Sequence, residues 1–222
     1  MIRLIRALPA WFELGTVILV AFGFFIFRSV ASLFMTGRPV RTSDDLIFLI
    51  IFELAGLALL LPFLHIRGWT LERLGLGSLT VRDGLAATGL AAIAFLAYAV
   101  VVTFAAVAMP DLLGAGPAPM AGRIALSQLA LVCLVNPLFE EIFVSGYVIA
   151  VLDPRRSGWT GINVSVAIRL LYHLYQGPAG VLSAVPLGLI FAGWYARTGR
   201  LWPLVMAHAM FDFLPFTAYI GG

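Results

Sequence analysis

Charge is what this sequence has least of. Only 11% of its 222 residues are charged, against 62% hydrophobic, and the mean hydropathy is +1.03. A soluble domain carries about 25% charged residues, so a chain with less than half that fraction cannot cover itself with a wetted surface. A soluble fold is excluded. Lysine is absent: all 14 basic residues are arginine, set against 11 acidic ones. The arginines stand singly or in pairs at the ends of apolar runs and form no basic stripe, which argues against nucleic acid as a partner. The single cysteine, Cys133, lies inside an apolar run. It excludes an intrachain disulfide and reads as a small core hydrophobe. The chain has neither an internal repeat nor a low-complexity tail.

What the chain does have is a series of apolar runs near or above the ~18 residues that mark a membrane-spanning helix. They predict an all-α, polytopic membrane helix bundle of about seven spans. The first ends near Phe27; Ser29-Val30-Ala31 would pass as a signal-peptide cleavage site, but the spans that follow favour an uncleaved helix. The next two run from about Leu46 to Leu64 and Gly84 to Ala108. Four more lie at about Ile124–Leu152, Ile162–Gln176, Gly180–Ala196 and Leu201–Ile220. The fourth is too long for one straight crossing, and Pro137 near its centre is expected to kink it. Asn136 would then satisfy the carbonyl freed by the kink. The connector "HIRGWTLERLGLGSLTVRDG" is expected to hold a short helix lying at the interface. Two units are delineated, the N-terminal helices and connector over 1–123 and a core of helices over 124–222.

With seven crossings and the N-terminus inside, nine arginines fall on the cytoplasmic side: Arg3, Arg6, Arg67, Arg73, Arg82, Arg155, Arg156, Arg197 and Arg200. Arg28, Arg38, Arg41 and Arg123 fall on the other. The positive-inside rule therefore puts the N-terminus in the cytoplasm. The all-arginine complement and compact size suit a bacterial plasma (inner) membrane.

The fourteenth arginine, Arg169, sits inside a span. A charge at membrane depth costs at least about 2.5–3.5 kcal/mol, so ionisable residues there mark function by default. The second half holds a set of them: Glu140, Glu141, Arg169, His173, His208 and Asp212. At about 1.5 Å per residue from the predicted cytoplasmic ends, Glu140 lies about 18 Å deep, His173 about 17 Å and His208 about 12 Å. Arg169 and His173 are four apart, as are His208 and Asp212, so each pair shares a helix face. Asp212 would orient His208 or share a proton with it. Glu140 and Glu141 lie ~100° apart around a helix, which makes one the base and the other its partner. Arg169 would neutralise one carboxylate. An isolated intramembrane histidine is as a rule a helix-to-helix hydrogen bond; three helices offering acid and imidazole at one depth point to a site. Glu13, Glu53 and His65 stand alone and read as packing or interfacial residues.

A carboxylate and two histidines in a dry cavity can activate water for attack on an amide, the carboxylate taking the proton and an imidazole or amide-type side chain stabilising the oxyanion. Glu140, His173 and His208 are equally a zinc ligand set. The contiguous His-Glu-x-x-His of many zinc proteases is absent, and spacing alone leaves zinc-held and protein-held water both open.

At these residues the chain resembles a known family. "NPLFEEIFVSGYVI" is similar to the Glu-Glu-x-x-x-Arg-Gly-Tyr segment of the CPBP intramembrane proteases, which include the CAAX prenyl endopeptidases and the bacteriocin-processing or immunity-linked proteins. "RLLYHLYQG" resembles their Phe-x-x-x-His motif and "HAMFDF" their His-x-x-x-Asn or Asp. The resemblance runs from about Leu131 to Tyr219. It implies an intramembrane endopeptidase acting on a membrane-associated, prenylated or hydrophobic substrate, with membrane lipids and a peptide or protein as partners. Glu140 would be the water-activating base, Glu141 its partner, His173 and His208 the groups that bind or polarise water and carbonyl, and Asp212 the third motif's Asn or Asp. Two departures stand out: the first motif's Arg is Ser145 here, and the second's Phe is Arg169. A cation lost from one helix would return on the next. The rival readings are a non-catalytic immunity or binding protein that keeps the constellation, and a proton relay. Oligomeric state leaves no signal in the sequence.

Overall fold

Each of the first three helices begins where the sequence supplies a start. The computed structural model describes residues 8–35, 40, 42–110, 120–155 and 158–220. Helix α1 (Ala10–Ser32) starts directly after Pro9, and α2 (Ser43–Ile66) after a capping box in which the Asp45 carboxylate accepts the Thr42 N–H at 2.8 Å. Helix α3 (Val81–Ala108) repeats the device, Asp83 accepting the Thr80 N–H at 2.8 Å. The fourth span, Leu126–Leu152, is composite: α4 (Leu126–Glu140), a π-helical stretch (Glu141–Tyr147) and α5 (Val148–Leu152). Then come α6 (Thr160–His173), a 3₁₀ turn (Leu174–Gln176), α7 (Gly177–Thr198), α8 (Trp202–Phe216) and a last 3₁₀ turn (Thr217–Tyr219). The chain is an all-α membrane helix bundle.

Five of these spans are long and apolar enough to cross a membrane: α1, α2, α3, Leu126–Leu152 and Gly180–Thr198 of α7. Helices α6 and α8 are shorter. At ~1.5 Å per residue the 14 residues of α6 rise about 21 Å, short of the ~30 Å hydrocarbon core. It therefore ends within the bundle, at His173. Irregular backbone at such depth must be satisfied by protein, and the Tyr175 N–H donates to the buried Ser29 hydroxyl of α1 at 2.9 Å. Ser29, within the small-residue triplet of the first span, is thus part of the packed bundle.

Burial identifies the axis. The fourth span is 72% buried along its membrane window, against 22–28% for the first three helices and 44% for α7. The others wrap around it, and their exposed Phe, Leu, Ile and Val side chains face outward as a lipid-facing surface would.

Three local expectations are corrected. Pro137 stays inside α4, and the irregularity falls four residues later, in the π-helical stretch, where tertiary contacts rather than proline hold the wide turns. The Asn136 amide does not serve the backbone; it donates to the carboxylates of Glu53 (2.6 Å) and Glu140 (3.3 Å), which are stronger acceptors than a carbonyl. The connector 67–80 is a set of turns, not an interfacial helix. Gly68 and Gly75 take φ of 90° and 94°, which stops a helix from propagating, and Trp69 and Leu74 are buried. It plugs one end of the bundle: Glu13 of α1 accepts from Arg67, from Trp69 Nε1 (2.7 Å) and from Tyr147 Oη (2.9 Å). The Leu201 N–H donates to the Gly75 carbonyl (3.0 Å), and Arg200 pairs with Asp83 (2.6 Å). Glu13 is accordingly a packing residue.

Candidate active site

The π-helical stretch begins between the two glutamates, so Glu140 closes α4 and Glu141 opens the wider turn. Glu140 lines a cavity of about 120 Å³ together with Glu53, Asn136, His173, His208 and Asp212. Glu141 lies behind it, with no exposed surface. The two acids therefore have different surroundings, although one guanidinium holds both. Arg169 of α6 donates through Nη2 to Glu141 Oε1 at 2.7 Å and through Nη1 to Glu140 Oε2 at 3.3 Å. A buried ion pair survives only when its remaining lone pairs are bonded. Here Tyr172 Oη donates to Glu140 Oε2 at 2.7 Å, and Ser145 Oγ donates to Glu141 Oε2 at 2.6 Å.

His208 of α8 faces both acids. Its Nδ1 lies 2.8 Å from Glu141 Oε1, and its Nε2 lies 3.9 Å from Glu140 Oε2 and 3.8 Å from Asp212 Oδ1. An ionised carboxylate only accepts, so Nδ1 carries a proton and Nε2 is turned to the cavity. Glu141, not Asp212, orients the ring: at i,i+4 Asp212 reaches only the opposite ring edge. His173 lines the cavity from the end of α6, its ring 4.6 Å from that of Tyr172. Phe22 of α1 stacks on the Tyr172 ring, the centroids 5.1 Å apart and the planes at 8°.

All six residues singled out from the sequence thus meet at one place, from the fourth span, α6 and α8. Three more belong to it: Tyr172, Asn136 and Glu53. The first two carried a signal, since Tyr172 is three residues from Arg169 and Asn136 four from Glu140, each on a shared face. Glu53 carried only the cost of a carboxylate in an apolar helix.

Among the described residues no three His, Cys, Asp or Glu side chains are grouped as metal ligands. Glu140 Oε2 is engaged by a hydroxyl and a guanidinium, and a guanidinium at 3.3 Å competes with any cation for that oxygen.

The family described as type II CAAX prenyl endopeptidase Rce1-like matches residues 122–214. Over these residues the chain is similar to that family. Nothing matches among curated proteins or solved structures. The five long apolar helices and this likeness together mark the chain as a multi-pass membrane protein. Within the Rce1-like segment the two motif departures meet on one side chain: Glu141 receives Ser145 on one oxygen and Arg169 on the other. Arg169, 1% exposed, points into the bundle and not at lipid.

Proposed function

We propose that this chain is an intramembrane endopeptidase that hydrolyses a peptide bond with water activated by Glu140. The observation that carries the reading is the gap between Glu140 Oε2 and His208 Nε2. At 3.9 Å it is too long for a direct hydrogen bond and suits one bridging water on the cavity wall. Glu140 takes a proton from that water as its oxygen attacks the scissile carbonyl carbon, and then hands the proton to the amine that leaves. His208, held through Nδ1 by Glu141, presents Nε2 to the water or the developing oxyanion. His173 and Asp212 line the side on which the carbonyl would lie. Arg169 keeps both acids in place, and Tyr172 fixes the reacting oxygen of Glu140.

In this reading residues 124–222 carry the reacting groups and 1–123 enclose them. The substrate is a membrane-delivered peptide with a prenylated or otherwise hydrophobic segment near the bond, in keeping with the CAAX prenyl endopeptidase description of the matching family. The enzyme resides in a plasma (inner) membrane with its N-terminus in the cytoplasm.

Quantitative terminal-peptide mass spectrometry of membranes from matched cells tests this, one set expressing the natural chain and the other Glu140→Gln at equal abundance. New peptide termini that vanish with Glu140→Gln are expected, and would identify the substrates. Identical termini in both, with the protein inserted and folded, would replace the hydrolase by a binding or immunity protein.

A further inference from the structure

Helix α2 lies outside the residues that match the family, yet it places a carboxylate in the candidate site. Glu53 is 1% exposed and lines the same cavity as Glu140. Its Oε1 accepts from Asn136 Nδ2 at 2.6 Å, and that same nitrogen reaches Glu140 Oε1 at 3.3 Å. The second Glu53 oxygen is buried with no hydrogen-bond partner among the described residues. A helix that needed only packing at this position would carry an apolar side chain, which avoids burying a polar group with an unsatisfied oxygen.

The chemistry of the amide explains the placement. Asn136 has two amide hydrogens and one acceptor oxygen. With an acid on each side, both hydrogens are spent on carboxylates, and the amide cannot turn its oxygen toward Glu140 without facing like charge. Glu140 is then gripped at Oε1 by Asn136. Its Oε2 is left to Tyr172, Arg169 and the cavity in front of His208.

We infer that Glu53 is a positioning residue for Glu140: through Asn136 it fixes which carboxylate oxygen faces the reacting water. The inference rests on the hydrolase reading for its consequence, and on geometry alone for the link. The active carboxylate is thereby set from an N-terminal helix as well as from the core, so the two parts of the chain make one site.

The test uses the full-length protein with Glu53→Gln, Glu53→Met, Asn136→Ala and the Glu53→Met/Asn136→Ala pair, with Glu140→Gln as reference. The rate of appearance of Glu140-dependent termini is read beside the melting temperature in detergent. Glu53→Gln keeps an acceptor for Asn136 and should cleave within about threefold of the natural rate; Glu53→Met should lose about tenfold or more, because small misplacements of a base are costly. The paired variant should be no slower than Asn136→Ala alone, since both changes cut one link. A natural rate for Glu53→Met, a folded Glu53→Gln that is inactive, or losses that multiply in the pair would overturn the inference.

A second readout separates the link from the activity. The chain has only five glutamates, so its ¹³C-labelled carboxyl signals can be assigned one by one. The Glu140 signal should move with Glu53→Met and stay with Glu53→Gln. An unmoved signal in the Met variant would overturn the link. If Glu140→Gln leaves the termini unchanged while the signal still moves, the hydrolase reading fails and the link stands.

Discussion

Arg169 is the largest side chain sealed inside the bundle, and it touches both acids of the site. Removing one partner from a buried ion pair costs about 3–5 kcal/mol, because the other charge is left without compensation. Arg169→Phe restores the family's residue at this position but strands two carboxylates, so it should melt well below the natural protein and cleave nothing. Adding Ser145→Arg returns a cation beside Glu141, whose Oε2 now takes the Ser145 hydroxyl at 2.6 Å. The pair should recover part of the lost stability and some cleavage, and a pair no better than Arg169→Phe alone would show that the two departures are unrelated. Arg169→Lys keeps charge without the fork that spans two carboxylates; it should fold and lose cleavage by about tenfold or more. Arg169 could be singled out from the sequence because a charge inside an apolar run needs a reason wherever it sits. Glu53 obeyed the same rule and was read as packing, since its partner, Asn136, lies 83 residues away and only the fold brings them together. Asn136 follows the same logic: proline beside it offers a local use for the amide, and two carboxylates, one of them 83 residues away, offer a better one.

At the scale of elements, the π-helical stretch is where local rules gave least. A π turn is intrinsically poor and persists because it is held from outside: Glu141 is bonded by Arg169 and His208, Tyr147 bonds Glu13, and the connector backbone packs closely on Gly146. None of those partners is near in sequence, whereas Pro137 is, so a kink was expected at the proline. The connector failed for a similar reason. Leu71 and Leu74 have helical spacing, but glycines at 68 and 75 bound them with positive φ. A Cβ on Gly146 would lie 2.9 Å from the Leu74 carbonyl oxygen, a backbone atom that cannot swing aside. Gly146→Ala should therefore destabilise the protein by about 1–3 kcal/mol, as overpacking does. Gly89→Ala, in α3 with nothing within 4 Å of its Cβ, is the control and should be neutral or stabilising by up to ~1 kcal/mol. Melting in detergent measures both; equal effects would mean that the π stretch does not lean on the connector.

Across the whole molecule, the number and order of apolar spans were legible because lipid demands long runs of one composition. The division of labour among spans was not, since a run that faces lipid and one that encloses a site read alike. Contacts between ends fix the alternation of the chain. Glu13 meets Arg67, and Arg200 meets Asp83, at one end of the bundle; Ile124 pairs with Ile220 at the other. An odd number of crossings satisfies both. Among described residues the first end holds Arg67, Arg73, Arg82, Arg155, Arg197 and Arg200, and the second Arg28 and Arg123; Arg3, Arg6, Arg38, Arg41 and Arg156 lie outside the described residues. An excess of arginine at the first end is what the proposed cytoplasmic N-terminus requires by the positive-inside rule. Single cysteines resolve the question in a chain whose only natural one, Cys133, can be replaced by serine. Ser78→Cys, exposed in the connector, should react with a membrane-impermeant thiol reagent only after cells are opened, and Met35→Cys, exposed beyond α1, in intact cells. The reverse pattern would invert the bundle and put the connector, and the acids beneath it, on the outer face. Labelling of both in intact cells would mean that an even number of crossings separates them, which the end-to-end contacts forbid for a chain folded in this way.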